Sequence, residues 1–216
     1  MVDYYRFSES KKFNKKETFK TEIGPQSIPT LESIQGMMPE KDWTSITDAW
    51  AEHNFISGGG RNLMKTMTKR YGKVVNVADF VRKSQMMNYE GFRALYEGRI
   101  GKMFSPTQGI LLWMSVPAQP SFVWQMFHYD LEPNASLFAL QKACEQIHIQ
   151  FNETDNGIIQ VINHEPKALS RAYAKITIYN IDGSVAAEKS HEVNTAACSV
   201  NKISDIKWPS NLTPRL

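Results

Sequence analysis

The chain has 216 residues, of which 42% are hydrophobic, 22% charged and 11% aromatic, with 12 Gly, 10 Pro and 2 Cys. That is enough apolar chain for one large domain or two small ones, and it excludes a disordered chain, a collagen-like repeat and a disulfide-stapled miniprotein. The longest apolar stretch, Gly109 to Val116, falls far short of the roughly 20 residues that cross a bilayer, and a formal charge of +3 drives neither nucleic-acid nor membrane binding.

Lys11, Lys12, Lys15, Lys16 and Lys20 make one local charge run. A basic arm on nucleic acid would bring the aromatic or glycine pattern of a binding module with it; none is present, so the run reads as a solvated loop before the first buried strand. Glu17 to Ile23 alternates, with Phe19, Thr21 and Ile23 on one face and Thr18, Lys20 and Glu22 on the other, the pattern of a strand. Gly24-Pro25 ends it. Ser27 with Pro29 behind it signals a helix start, and the helix runs through Leu31 and Ile34 to Met38 before Pro39. Glu22 therefore sits at the C-terminal mouth of a strand that turns directly into a helix.

Trp43, Ile46 and Trp50 have helical spacing, and Gly58-Gly59-Gly60 marks a loop. No Lys-Ser/Thr follows these glycines, so a flexible connection is preferred to a phosphate cradle. The clearest helix starts at Asn76, a good N-cap, with Asp79 three residues on. Phe80, Val81, Ser84, Met87, Gly91, Ala94 and Leu95 form its buried stripe, which ends near Gly98 or Gly101. Gly109 to Met114 is a continuous apolar run, as in a strand covered on both faces. A loop rich in proline and aromatics follows, containing Trp124. Asn134 or Ser136 then caps a last helix bearing Leu137, Phe138, Leu140 and Ala143.

From Ile147 the character changes to β. His148, Gln150 and Asn152 alternate with Ile147, Ile149 and Phe151. Asp155-Asn156-Gly157 turns into a strand at Ile158 to Ile162. A third strand spans Ala172 to Tyr179, Asp182-Gly183 is a hairpin turn into Val185 to Lys189, and Val193 to Val200 is a fifth. The expected fold is thus α/β followed by all-β: two strand–helix units over residues 1–146, then an immunoglobulin-like β-sandwich over residues 147–216.

A carboxylate at the C-terminal end of a strand in such a βα array is where barrel enzymes place catalytic groups, and nearby Trp side chains supply flat surface for a sugar ring. Taken singly, Glu22 also reads as a helix-capping carboxylate, and Trp113 and Trp124 as core packing. The segment Phe19-Lys-Thr-Glu22-Ile-Gly-Pro, with Ile28-Pro-Thr-Leu-Glu-Ser behind it, resembles the nucleophile segment of glycoside hydrolase family 2. The likeness is to the exo-β-glucosaminidase branch first and to the β-mannosidases at a greater distance. It continues through Lys69-Arg-Tyr-Gly, Asp79-Phe-Val-Arg-Lys, Tyr89-Glu90, Gly109-Ile-Leu-Leu-Trp-Met, Trp124-Gln, Asn134 to Gln150 and Tyr179-Asn-Ile-Asp-Gly183, in that order.

The resemblance implies the last two βα units of a (β/α)8 barrel, with Glu22 as nucleophile of a retaining hydrolase on the seventh strand, Trp113 on the eighth, and Trp124 lining the sugar pocket. It implies no cofactor or metal, and a β-linked oligosaccharide or glycoside of glucosamine or mannose as partner, with no nucleic acid and no membrane. The family's acid/base glutamate follows an Asn on the fourth strand, which would precede Met1; a nucleophile without its proton donor, and an inactive isolated chain, are therefore expected. Asn152-Glu153 lies in the β region and reads as chance, and Asp130 and Glu132 read as structural. His53, His128, His148, His164 and His191 show no metal spacing and are assigned to surface or satisfied positions; Cys144 and Cys198 read as half-buried thiols. A quarter of a barrel also exposes strand edges through which a homo-oligomer would form. The rival reading is a non-catalytic carbohydrate-binding or protein-interaction module using Trp113, Trp124 and the sandwich.

Overall fold

The computed structural model describes residues 18–152 and 157–206. Lys11, Lys12, Lys15, Lys16, Glu17, Glu153, the Asp155-Asn156 half of the turn and the tail from Trp208 lie outside the described residues. The first strand, β1 (Phe19–Ile23), pairs in parallel with β2 (Gly109–Leu112). Everything between them is one long excursion: α1 (Leu31–Met37), a 3₁₀ turn at Glu40–Asp42, α2 (Asp48–Glu52), α3 (Gly60–Tyr71) and α4 (Val77–Ile100).

Helix α1 starts later than the sequence indicates. Thr30 is its cap, accepting the Ser33 N–H at 3.3 Å, and the helix stops at Met38, where Pro39 cannot continue it. Trp43, Ile46 and Trp50 do not share one helix. Only Trp50 lies in one, the single-turn α2, and a stack of aromatic rings holds this stretch in place of regular structure. Trp50 is fully buried, stacks on Phe122 with centroids 4.7 Å apart, and meets Phe55 and Phe80 edge-on. Nor is Gly58-Gly59-Gly60 a flexible connection. Gly59 turns at φ 97°, and a Cβ on Gly60 would lie 2.5 Å from the Phe55 ring, so the chain there is pressed onto the aromatic core.

Helix α4 matches its sequence pattern. The Asn76 side chain accepts the Asp79 N–H at 2.8 Å, and Phe80, Val81, Ser84, Met87, Gly91, Ala94 and Leu95 are all buried. Two of the likeness segments meet on its flank, where Arg70 and the Tyr71 hydroxyl of α3 both reach Glu90. The last helix, α5 (Ala135–Ala143), is capped by Asn134; Ala139, Leu140 and Ala143 point inward, whereas Phe138 is 53% exposed.

The remaining strands form two antiparallel sheets, β3 (Ile147–Asn152), β4 (Ile158–Asn163) and β7 (Ser199–Asp205) in the order β3-β4-β7, and the hairpin β5 (Leu169–Tyr179)–β6 (Val185–Thr195). The strand expected at 185–189 runs on without a break to Thr195 as β6, and the one expected at 193–200 is divided at the Ala196–Cys198 turn, where Cys198 adopts φ 45°, its last two residues beginning β7. Strand β4 is buried along its whole length. Its Ile162, with Val200 of β7, packs among α4 and α5 residues, while its Val161 meets Ala174 and Val193 of the hairpin. The layers therefore run from the parallel pair through the helices to the first sheet and then the hairpin.

Strand β3 is turned inside out relative to a simple apolar-in expectation. His148 and Gln150 are buried, and Ile147 and Ile149 stand at 39% and 37% exposure. The polar side faces inward because α4 offers partners. His148 Nε2 lies 3.0 Å from Glu97 Oε1, Arg93 Nε donates to the same oxygen at 2.7 Å, and Gln150 Nε2 donates to the Glu97 carbonyl at 3.0 Å.

Candidate active site

The register of the parallel pair decides where Glu22 points. Phe19 lies opposite Gly109 and Lys20 opposite Ile110, but Ile23 lies opposite Leu112. Three steps along β1 match two along β2, so β1 carries a bulge with one extra residue at Thr21–Glu22. Ile23, Ile110 and Leu112 pack into the helical core, while Leu111 and Trp113 face away from it at 54% and 50% exposure. Strict alternation from Lys20 would send Glu22 toward the helices. The extra residue turns it out instead, and Thr21 and Glu22 are both exposed. This corrects the two-face alternation read from the sequence, and it also corrects Gly109–Met114 as a strand covered on both sides: in this chain one face of the pair is open.

Beyond Ile23 the chain is held against both tryptophans. A Cβ on Gly24 would lie 2.2 Å from the Trp113 carbonyl oxygen and 3.5 Å from Trp124 Cβ, a close approach that glycine alone permits. Trp113 N donates to the Ile23 carbonyl at 2.9 Å, and Met114 N donates to the Trp124 carbonyl at 2.7 Å. Trp113 and Trp124 thus flank the turn that leaves Glu22 behind, all at the C-terminal mouth of the pair.

Three polar side chains fix this turn. Ser27 Oγ donates to the Gln125 carbonyl at 2.8 Å and accepts the Gln125 N–H at 2.9 Å. Asn88 on α4 grips the backbone of Ile28 from both sides, at 3.2 Å to its N–H and 2.9 Å to its carbonyl. Gln85 donates to that carbonyl at 3.0 Å and accepts the Ala135 N–H, also at 3.0 Å. Ser27, read from the sequence as a helix start, is instead a tie between the loops that follow β1 and β2. No periodicity in the sequence marks Asn88, Gln85 or Gln125 for this work.

Beside the mouth lies a cavity of about 270 Å³ lined by Gly24, Pro25, Gln26, the Gly58–Gly59 pair, Asn62 and Trp124. Asp130 is structural: it accepts the Ser33 hydroxyl at 2.8 Å and the Glu132 N–H at 3.2 Å. Among the described residues no group of three His, Cys, Asp or Glu side chains could hold a metal ion, and no helix is long and apolar enough to cross a membrane. Cys144 and Cys198 are exposed rather than half-buried.

His128 is neither at the surface nor satisfied. It is fully buried and neither ring nitrogen has a partner among the described residues, and desolvation pushes its pKa down to about 4, against a smaller opposing pull from Asp130. Its folded pKa lies below the value of about 6.5 in the unfolded chain, so between these values the unfolded state binds the extra proton. Stability is therefore full above about pH 6.5 and is lost as pH falls toward 4, by up to about 3 kcal/mol if no other group compensates. Urea denaturation of the wild type and of His128→Phe at pH 7.5 and pH 5 measures this; the variant should lose the part of the acid sensitivity that His128 causes.

No family model matches the chain. A curated exo-β-D-glucosaminidase of Amycolatopsis orientalis is 33% identical over 165 residues, which is 72% of this chain and 16% of that protein. A mannosylglycoprotein endo-β-mannosidase of Lilium longiflorum is 25% identical over 179 residues, 76% of this chain and 19% of that one. The crystal structure of an exo-chitosanase from Amycolatopsis orientalis superposes with a TM-score of 0.84 at 25% identity, covering 99% of this chain and 26% of its own. The chain spans about a fifth of the length of the curated relatives it matches.

Proposed function

This chain is a relative, over most of its length, of the exo-β-D-glucosaminidases and β-mannosidases, glycosidases of glycoside hydrolase family 2, and from that premise we propose that it is the nucleophile-bearing part of a retaining exo-β-glycosidase acting on a β-glucosaminide or β-mannoside. In this reading β1 and β2 are the seventh and eighth strands of a (β/α)8 barrel, residues 1–146 are the end of that barrel, and residues 147–216 are an immunoglobulin-like sandwich. The observation that carries it is the bulge in β1, which presents Glu22 on the open side of a parallel pair, at the mouth where Trp113 and Trp124 meet the same turn.

The chemistry follows from that placement. An ionised Glu22 oxygen forms a bond to the anomeric carbon while the bond to the leaving oxygen breaks, and that oxygen takes a proton from a second carboxylic acid. The same second group then removes a proton from water, whose oxygen replaces Glu22 at the anomeric carbon. The two carboxyl groups must stand about 5–5.5 Å apart. Asp130 is engaged by Ser33 and by its own turn, and we assign the proton donor to a glutamate outside this chain. Trp113, half exposed beside the mouth, and Trp124 offer flat apolar faces to the sugar ring. The open face bearing Phe19, Leu111 and Trp113 is where the remaining barrel strands would pack, and where copies of the isolated chain would associate.

The test exchanges this chain for the segment it matches in the Amycolatopsis orientalis exo-β-D-glucosaminidase. The exchanged enzyme should hydrolyse p-nitrophenyl β-D-glucosaminide within about tenfold of its parent's kcat/KM, and the isolated chain should not hydrolyse it at all. A folded but inactive exchanged enzyme sinks the reading. Turnover by the isolated chain that vanishes in Glu22→Gln shows instead that the donor is present here.

A further inference from the structure

We propose that Ser27 is a positioning residue for Trp124: its hydroxyl group clasps the peptide that follows Trp124 and so holds the indole at the Glu22 mouth on a left-handed backbone. The bearing of this clasp on the reaction rests on the glycosidase reading above.

Trp124 is strained. Its φ is 32°, a region where the Cβ of a bulky residue crowds its own backbone and which such residues occupy only when their surroundings hold them there. Of the five non-glycine residues with positive φ among the described residues, it is the aromatic one. Fixed points on either side impose the conformation. Upstream, the Phe122 N–H donates to the His53 carbonyl at 2.9 Å. Downstream, the peptide joining Trp124 to Gln125 is held at both its ends: its carbonyl accepts the Met114 N–H at 2.7 Å, and its N–H donates to Ser27 Oγ at 2.9 Å. Val123 and Trp124 have to span these two points, and φ 32° is how the chain does so.

The hydroxyl is the decisive part of that arrangement. A serine has one hydrogen to donate and two lone pairs with which to accept. Ser27 Oγ donates to the Gln125 carbonyl at 2.8 Å while accepting the Gln125 N–H, so both bonds fall on one residue, and Ser27 and Gln125 are fully buried. The two bonds are not equivalent. The Gln125 carbonyl also accepts Asn134 Nδ2 at 2.8 Å and Ser136 Oγ at 3.3 Å, whereas Ser27 is the sole partner of the Gln125 N–H among the described residues. Without the hydroxyl the carbonyl stays engaged and a buried N–H is orphaned, which the chain relieves by turning that peptide toward another acceptor. One of the two fixed points is then released, Trp124 falls back to negative φ, and its side chain swings away from the mouth. Ser27 stands five residues after Glu22, so one hydroxyl sets the indole and the carboxylate in a common frame.

The experiment places glycine or alanine at position 124 of the full chain and follows thermal denaturation. Glycine takes positive φ freely and alanine does not, whereas at negative φ glycine is the less stable of the two because it loses more freedom on folding. With Ser27 present, Trp124→Gly should melt about 2–4 °C above Trp124→Ala, and with Ser27→Ala the order should reverse. A tie that only stabilised the loops would lower both melting temperatures and leave their order alone. The same order in both backgrounds overturns the proposal, as does alanine melting above glycine with Ser27 present. In the exchanged enzyme, Ser27→Ala should raise KM for p-nitrophenyl β-D-glucosaminide about tenfold with kcat within about threefold. It should add less than about twofold once Trp124 is already alanine, because a residue acting through the indole has nothing left to position. Full additivity of the two substitutions overturns the proposal. Ser27→Cys, similar in size but a weak donor and acceptor, gives the same readings at smaller amplitude if Ser27→Ala does not fold. A reversed order with an inactive exchanged enzyme keeps the clasp and removes the role given to the mouth; an active exchanged enzyme with no reversal removes the clasp and leaves the glycosidase reading standing.

Discussion

Glu22→Gln in the exchanged enzyme is expected to lower kcat/KM for p-nitrophenyl β-D-glucosaminide on the order of 10⁴-fold or more, the scale of losing a covalent nucleophile. An amide has the shape of the carboxylate but neither its charge nor its nucleophilicity. The loss should come with almost no change in melting temperature, because Glu22 is exposed and surface substitutions of this kind usually fall within about 0.5 kcal/mol. That split between activity and stability separates a catalytic carboxylate from a helix-capping one, whose removal would destabilise the turn into α1. The role can be resolved further with Glu22→Ala and added azide. Azide would form its nitrogen–carbon bond from the face that Glu22 vacated, as the leaving oxygen departs with a proton from the second acid. The product expected is the α-glycosyl azide. A β-glycosyl azide would instead make Glu22 the acid/base.

Trp50→Ala should destabilise the fold by about 3–5 kcal/mol, with a fall in melting temperature of about 10 °C. Trp50 has no exposed surface. It stacks on Phe122 with planes 12° apart, meets Phe55 at 5.4 Å and Phe80 at 5.6 Å, and its Nε1 donates to the Asp42 carbonyl at 3.0 Å. Alanine would leave a cavity among four segments and an unpaired carbonyl. Trp50→Phe keeps a ring in the stack and loses only the hydrogen bond and part of the volume, so it should cost less than half as much. Thermal denaturation followed by circular dichroism reads both. The effect reaches function because Phe122 lies in the loop after β2, and Phe55 in turn supports Gly60 next to the cavity. A Trp50→Ala protein as stable as the wild type would show that the excursion between β1 and β2 is held by something other than this aromatic stack.

Much of the frame was legible because it depends on local rules. Helix α4 follows from a 3.6-residue apolar stripe and an Asn76 cap, and α5 from Asn134, whose side chain accepts the Ser136 N–H while its amide reaches the Gln125 carbonyl. The candidate residues Glu22, Trp113 and Trp124 were likewise visible in the linear order of motifs, and the structure brings all three to one mouth. Residues 40–75 were not legible. They are organised by four aromatic rings that meet across up to 72 positions of sequence between Trp50 and Phe122, and no window of helix or strand length contains such a contact.

Outside residues 40–75 the sequence alone determined most of the strands and helices, and which carboxylate and tryptophans stand near a strand end, because propensity, capping and periodicity act over a few residues. The direction of individual side chains was decided only in three dimensions. Glu22 faces outward through one extra residue in β1, which exists only relative to the register of β2. His148 and Gln150 turn inward because Glu97, some fifty positions earlier in the chain, offers them a carboxylate and a carbonyl. A buried polar group takes the side on which its partner stands, and where that partner stands is a property of the packed chain.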